Sequence, residues 1–152
     1  MITNIIALLL ALAVVIYASA KSCALPESIS DIAYIIPHWA FSVLIIAVGF
    51  ALLPAMLDAL LDEWRWVGFL SVAGLFCVAS SAYYKTEAAA LHYTGGCLCA
   101  LCATAVVAML CPKLLLLWAV YVAAMTFLRF DRWLFWAEVT VFVTLLAIPL
   151  FA

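Results

Sequence analysis

From residue 2 to residue 20 the chain reads ITNIIALLLALAVVIYASA, without a single charged side chain. Five more runs of similar character follow, at 38–57, 67–84, 89–111, 114–130 and 133–151. Runs this long and apolar restrict the fold sharply, because in lipid every backbone N–H and C=O must be paired within the protein. Only helices and closed barrels achieve that. Barrel strands alternate apolar and polar residues over about ten positions, whereas these runs are continuous and rich in Leu, Ala, Val and Ile. They read as helices. A hydrocarbon core takes about 20 residues per helix, with about 17 to 25 tolerated. The expected fold is therefore all-α: a polytopic transmembrane helical bundle of six spans, forming one transmembrane domain over residues 1–152.

Composition excludes the soluble alternative. Hydrophobic residues make up 72% of the chain and charged residues 9%, with a mean hydropathy of +1.37, more apolar surface than one soluble core can hide. The net charge of −2 and the lack of a basic stripe argue against nucleic acid. The expected partners are the lipid bilayer and a second copy or another membrane protein, with the bacterial inner (cell) membrane as the expected location. No cofactor is indicated.

The first run has a rival reading. Ala18, Ala20 and the following Lys21 carry small residues at the spacing of a signal-peptidase site, and cleavage there would leave five spans. Nothing basic precedes the run, and it is long enough to span, so a retained helix is expected. With six spans, Lys21, Lys85, Arg129 and Arg132 share one side, and Arg65 and Lys113 the other. The larger basic share places the first side in the cytoplasm. Trp39, Trp64, Trp66, Trp133 and Trp136 fall near span ends, as an aromatic belt requires.

The segment LHYTGGCLCALC, residues 91–102, looks most like a metal or redox centre. Helical geometry argues otherwise. At about 100° per residue, Cys97 points nearly opposite to Cys99, so one helix cannot bring three thiolates to one tetrahedral ion. The same segment carries two ridges of small residues, Gly95–Cys99–Ala103 and Gly96–Ala100–Thr104–Ala108. Such ridges let membrane helices approach closely, and cysteine packs as a small hydrophobe. The expectation is packing, with no metal site.

Polar residues collect on one membrane face. In PESISDIAYIIPHW, Ile29, Ile32, Ala33 and Ile36 recur at helical spacing. This is read as a short interfacial amphipathic helix between the first two spans, capped by Ser28, with Asp31 in its first turn and Pro37 at its end. Tyr83, Tyr84 and Lys85 return to that face, His92 and Tyr93 leave it, and Arg129, Asp131 and Arg132 join it later. Glu138 lies roughly 7 to 8 Å along the sixth span from Trp133. A carboxylate there is costly and needs a partner, which makes it a candidate for binding or proton transfer as well as for a packing hydrogen bond. The candidate binding cluster is Ser30, Asp31, Tyr34, His92, Glu138 and Arg129. On the opposite face Asp58 and Asp62 read as one side of a solvated helix end, with Arg65 in reach of Asp62.

The segment Ser28-Ile29-Ser30 followed by Tyr34, then His92 with Gly95-Gly96 behind it, resembles a group of small bacterial six-helix membrane proteins of unknown function. In outline the chain is similar to DRAM-type membrane proteins and, more distantly, to the alkaline ceramidase and adiponectin-receptor superfamily. The resemblance implies a multi-helix membrane fold. Hydrolases of that superfamily hold zinc with three histidines beside a serine and an aspartate. This chain has only His38 and His92, so that zinc chemistry is not carried over.

Three functions stay open on the residues alone. One is a lipid- or protein-binding membrane module. Another is a membrane-embedded lipid-modifying enzyme, which requires Ser30, Asp31, His92 and Glu138 to converge within hydrogen-bond reach or through one water. The third is a small proton-coupled carrier using Glu138, which requires a polar route through both halves of the bundle.

Overall fold

A computed structural model describes residues 2–128 and 131–151, with side chains over 5–127 and 131–147. Six α-helices make up the described chain: α1 (Ile2–Ser22), α2 (His38–Ala59), α3 (Arg65–Ser80), α4 (Ala89–Leu110), α5 (Leu115–Leu128) and α6 (Trp133–Phe151). Three short 3-10 helices lie between them, at Ser30–Tyr34, Asp62–Trp64 and Pro112–Leu114. The protein is an all-α bundle, and α1, α2 and α4 each contain a stretch long and apolar enough to cross a membrane. Its outside matches that reading. Ile16, Phe50, Leu101 and Val120 are all exposed, a large apolar surface that a soluble monomer does not carry.

The breaks have local causes. The third helix was expected to reach Tyr84 but ends at Ser80. The Ser81 N–H makes the last ladder bond to the Cys77 carbonyl, at 3.2 Å, and is shared with the Val78 carbonyl. The Ser81 Oγ donates to the same Cys77 oxygen at 2.5 Å, the side-chain bond to the backbone that favours a helix end. Tyr83, Tyr84 and Lys85 therefore sit on a turn that overhangs the bundle end, not on a helix. Pro112 stops α4 and starts a 3-10 turn, as its missing amide requires. At the opposite end α2 stops at Ala59. Asp58 and Asp62 thus do not share one helix, contrary to the expected pairing, since Asp62 opens the separate turn Asp62–Trp64. Arg65 pairs with Asp62 at 2.9 Å. After α1, Cys23 takes a left-handed conformation (φ 54°), the usual way to leave a helix but one that suits glycine better.

Helices α3 and α4 share the most extensive contact of the bundle. The Gly95–Cys99–Ala103 ridge makes that seam, with all three residues buried. A Cβ on Gly74 would lie 2.5 Å from the Gly95 carbonyl and 2.6 Å from the Cys99 amide, so the backbones touch where side chains are missing. The second expected ridge does not pack in this way. A Cβ on Gly96 would meet only Val78, at 3.9 Å, and Ala108 is exposed. Its small residues leave space instead. All six cysteines are free, with Cys99 and Cys111 buried and Cys23 and Cys97 exposed, so Cys97 and Cys99 do face apart.

Helix α6 closes the bundle against α4, α2 and α1, while α5 lies mainly against α6. Two apolar clusters divide the core. One joins Leu52, Met56, Val106, Val107 and Leu145. The other joins Ile32, Ala33, Phe41, Ile45, Leu75, Ala79 and Cys99, beneath the turn Ser30–Tyr34.

Candidate functional site

The segment between α1 and α2 shows how the site is built. The expected amphipathic helix is a five-residue 3-10 helix, Ser30–Tyr34, with Ile32, Ala33 and Ile36 buried. The Ser28 Oγ accepts the Asp31 N–H at 3.1 Å, the capping role its position suggested. Helix α6 holds this segment through a reciprocal exchange. The Glu138 carboxylate accepts the Ile29 N–H at 2.5 Å, and the Ser30 amide also faces it. In return the Phe135 N–H, one of the unpaired donors in the first turn of α6, reaches the Glu27 carbonyl at 3.1 Å. Arg132, itself left-handed at φ 66°, donates to the Leu25 carbonyl. Glu138 thus finds a partner in the backbone of a distant segment.

His92, in the first turn of α4, is 5% exposed and bonded on both ring nitrogens. Its Nδ1 lies 3.3 Å from both the carbonyl and the Oγ of Ser81. A carbonyl only accepts, and the Ser81 hydroxyl already donates to Cys77, so Nδ1 carries the proton. Nε2 is then the acceptor, and the Ser30 Oγ donates to it at 3.0 Å. The ring is stacked on Tyr84, centroids 4.0 Å apart and planes 17° from parallel.

Tyr84 links this pair to an ionic one. Its hydroxyl donates to Asp31 Oδ1 at 2.8 Å, and Lys85 Nζ sits 2.5 Å from the same oxygen. Burial alone would raise the Asp31 carboxyl, but the Lys85 ammonium, the Tyr84 hydroxyl and Ser28 outweigh it and hold Asp31 below its usual range. The same carboxylate raises Lys85, and burial together with Asp31 pushes the Tyr84 phenol up. The Tyr34 hydroxyl accepts the Lys85 N–H at 2.9 Å.

Of the six residues singled out in the sequence, the structure brings Ser30, Asp31, Tyr34, His92 and Glu138 to one end of the bundle. Arg129 lies outside the described residues. Asp31 does not touch His92; it reaches that ring only through Tyr84. Sequence reasoning missed Ser81 and placed Tyr84 and Lys85 on this face without counting them in the candidate cluster, because their roles depend on where α3 stops. The paired serines of SSAYYK are the one local signal for that stop.

These side chains border a cleft of about 1000 Å³. Glu27, Ser30, Tyr84, Lys85, His92 and Glu138 line its polar end. Phe41, Ile45, Leu75, Ala100, Trp118 and Phe142 line the part inside the bundle. Gly96 and Ala100, from the second ridge, form part of one wall. From His92 to Ala100 the cleft follows α4 for about 12 Å. In the other half of the bundle, the described buried side chains are almost all apolar. Among the described residues, no group of three or more His, Cys, Asp or Glu side chains is arranged to hold a metal ion.

Comparison with protein-family models, with curated proteins and with solved structures finds no match. The chain is an all-helical protein with several candidate membrane-spanning helices, as in a multi-pass integral membrane protein.

Proposed function

We propose that this protein is a lipid-binding module of the bacterial inner membrane. In this reading all six helices cross the bilayer, the Ser30–Tyr34 helix lies in the interface, and the chain belongs with the small six-helix proteins it resembles. The observation that carries the reading is the cleft, polar at one end and apolar along the bundle, the division an amphiphile has within itself. Lys85, at the mouth and half-exposed, offers a cation to a headgroup, while Phe41, Leu75 and Phe142 offer an acyl chain an apolar wall.

Native mass spectrometry of the protein extracted in mild detergent tests this. One bound phospholipid per chain is expected, and Ala100→Trp, which fills the apolar part of the cleft, should remove it. Equal lipid occupancy in a folded Ala100→Trp variant, or none in the wild type, would overturn the reading.

A further inference from the structure

We propose that Ser30 and His92 form a nucleophile–base pair that cleaves a carboxylic ester in the acyl chain linkage of a lipid held in this cleft. This deepens the lipid-binding reading and rests on it.

Three features of the geometry carry the inference. First, Ser30 donates to His92 Nε2 at 3.0 Å, the contact through which an imidazole takes a proton from an attacking hydroxyl. Second, the imidazole is oriented by a third group, as an activating base requires. The Ser81 carbonyl holds the proton on Nδ1, and the Tyr84 ring fixes the plane of the imidazole. Third, Ser30 and His92 both line the cleft, and both are nearly closed to solvent, at 7% and 5% exposure. In an ester lipid the carbonyl lies between headgroup and chain. Ser30 lines the polar end of the cleft, two residues from Ile32 and three from Ala33 of the apolar cluster beneath.

No other described serine near the site has this arrangement. Ser28 Oγ accepts the Asp31 N–H, and Ser81 Oγ donates to a carbonyl. Glu138 is a positioning residue here. It accepts the Ile29 N–H, next to Ser30, and so helps to fix the backbone that carries the nucleophile.

In the first half-reaction the Ser30 Oγ–carbonyl carbon bond forms and the ester C–O bond breaks. The hydroxyl proton passes to His92 Nε2 and then to the departing alcohol. In the second, water adds to the acyl-serine with its proton taken by Nε2. The acid leaves, and the proton returns to Ser30. Water is the only co-reactant.

The test uses the detergent-solubilised full chain and a long-chain alkyl fluorophosphonate. Attack by Ser30 would form an Oγ–P bond and expel fluoride. Peptide mapping should place the label on Ser30. Ser30→Ala should abolish it, and His92→Gln should slow it by at least about 100-fold, the usual contribution of a positioned base. The helical circular dichroism and thermal unfolding of both variants, compared with wild type, report that they fold. If the wild type binds lipid but is not labelled, or if His92→Gln is labelled as fast as wild type, the pair is a packing hydrogen bond and this proposal fails while lipid binding stands. If the wild type carries neither lipid nor label, both fail.

Discussion

The seam between α3 and α4 gives the sharpest prediction, because it can be tested with two single-methyl changes. A Cβ on Gly74 would sit 2.5 Å from the Gly95 carbonyl oxygen and 2.6 Å from the Cys99 nitrogen. Ordinary contact begins near 3.4 Å, so Gly74→Ala must drive the helices apart by about 0.9 Å. Neither neighbour is a flexible side-chain end that could turn away. A gap of that size forfeits between a quarter and a half of each dispersion contact along the seam. Overpacking of this kind costs about 1 to 3 kcal/mol. Alanine also raises helix propensity by about 0.8 to 1 kcal/mol, which would mask part of the loss. Gly96→Ala is the matched control: it gains the same propensity, and its new methyl meets only Val78 at 3.9 Å. Equilibrium unfolding in mixed micelles should therefore put Gly74→Ala about 1 to 3 kcal/mol below Gly96→Ala. The site should respond as well, since Ser81 follows α3 and His92 begins α4, and their 3.3 Å contacts have little slack. If the two variants unfold within about 0.5 kcal/mol of each other, the close-packed seam is not what holds these helices together.

Glu138→Ala should cost about 1 to 3 kcal/mol, because it leaves the Ile29 amide without its acceptor, while Glu138→Gln keeps an oxygen there and should cost less. Hydrogen exchange at the Ile29 amide should speed up in the alanine variant, and unchanged exchange there would count against the capping role. The Asp31–Lys85 pair sets two pH limits. Asp31 is lowered from its ordinary 3.8, so its contribution is present above that value and lost as pH falls through the folded one. Lys85 is raised from 10.5, so its contribution is present below that value and lost as pH rises through the folded one. Lys85 is half-exposed, which limits the pair to about 1 kcal/mol, and Asp31→Asn should flatten the acid limb of the stability profile. An unchanged acid limb would assign it to other carboxylates. Finally, a maleimide should modify Cys23 readily and reach Cys99 and Cys111 only after unfolding. Labelling of Cys99 in the folded protein would contradict the buried seam.

Much of the architecture was legible in the chain because burial in lipid writes itself into long runs. The apolar stretches placed all six helices, Pro112 marked the break after α4, and Ser28 marked the cap before Ser30–Tyr34. Spacing at the helical period separated Cys97 from Cys99 without reference to any neighbour. Those features are local, fixed by backbone geometry and side-chain type within a few residues. The partners of the polar groups were not legible. Glu138 needed a hydrogen-bond partner, and no local pattern pointed to the one the fold supplied, the Ile29 amide, 109 positions away. Of two small-residue ridges that look alike, one closes against α3 and the other forms part of a cleft wall, because only packing decides which face of α4 meets a neighbour. His92 gained its orientation from where α3 stops. Residue type could nominate Ser30 and His92, but the 3.0 Å between them came from helices far apart in the chain being brought to one end of the bundle.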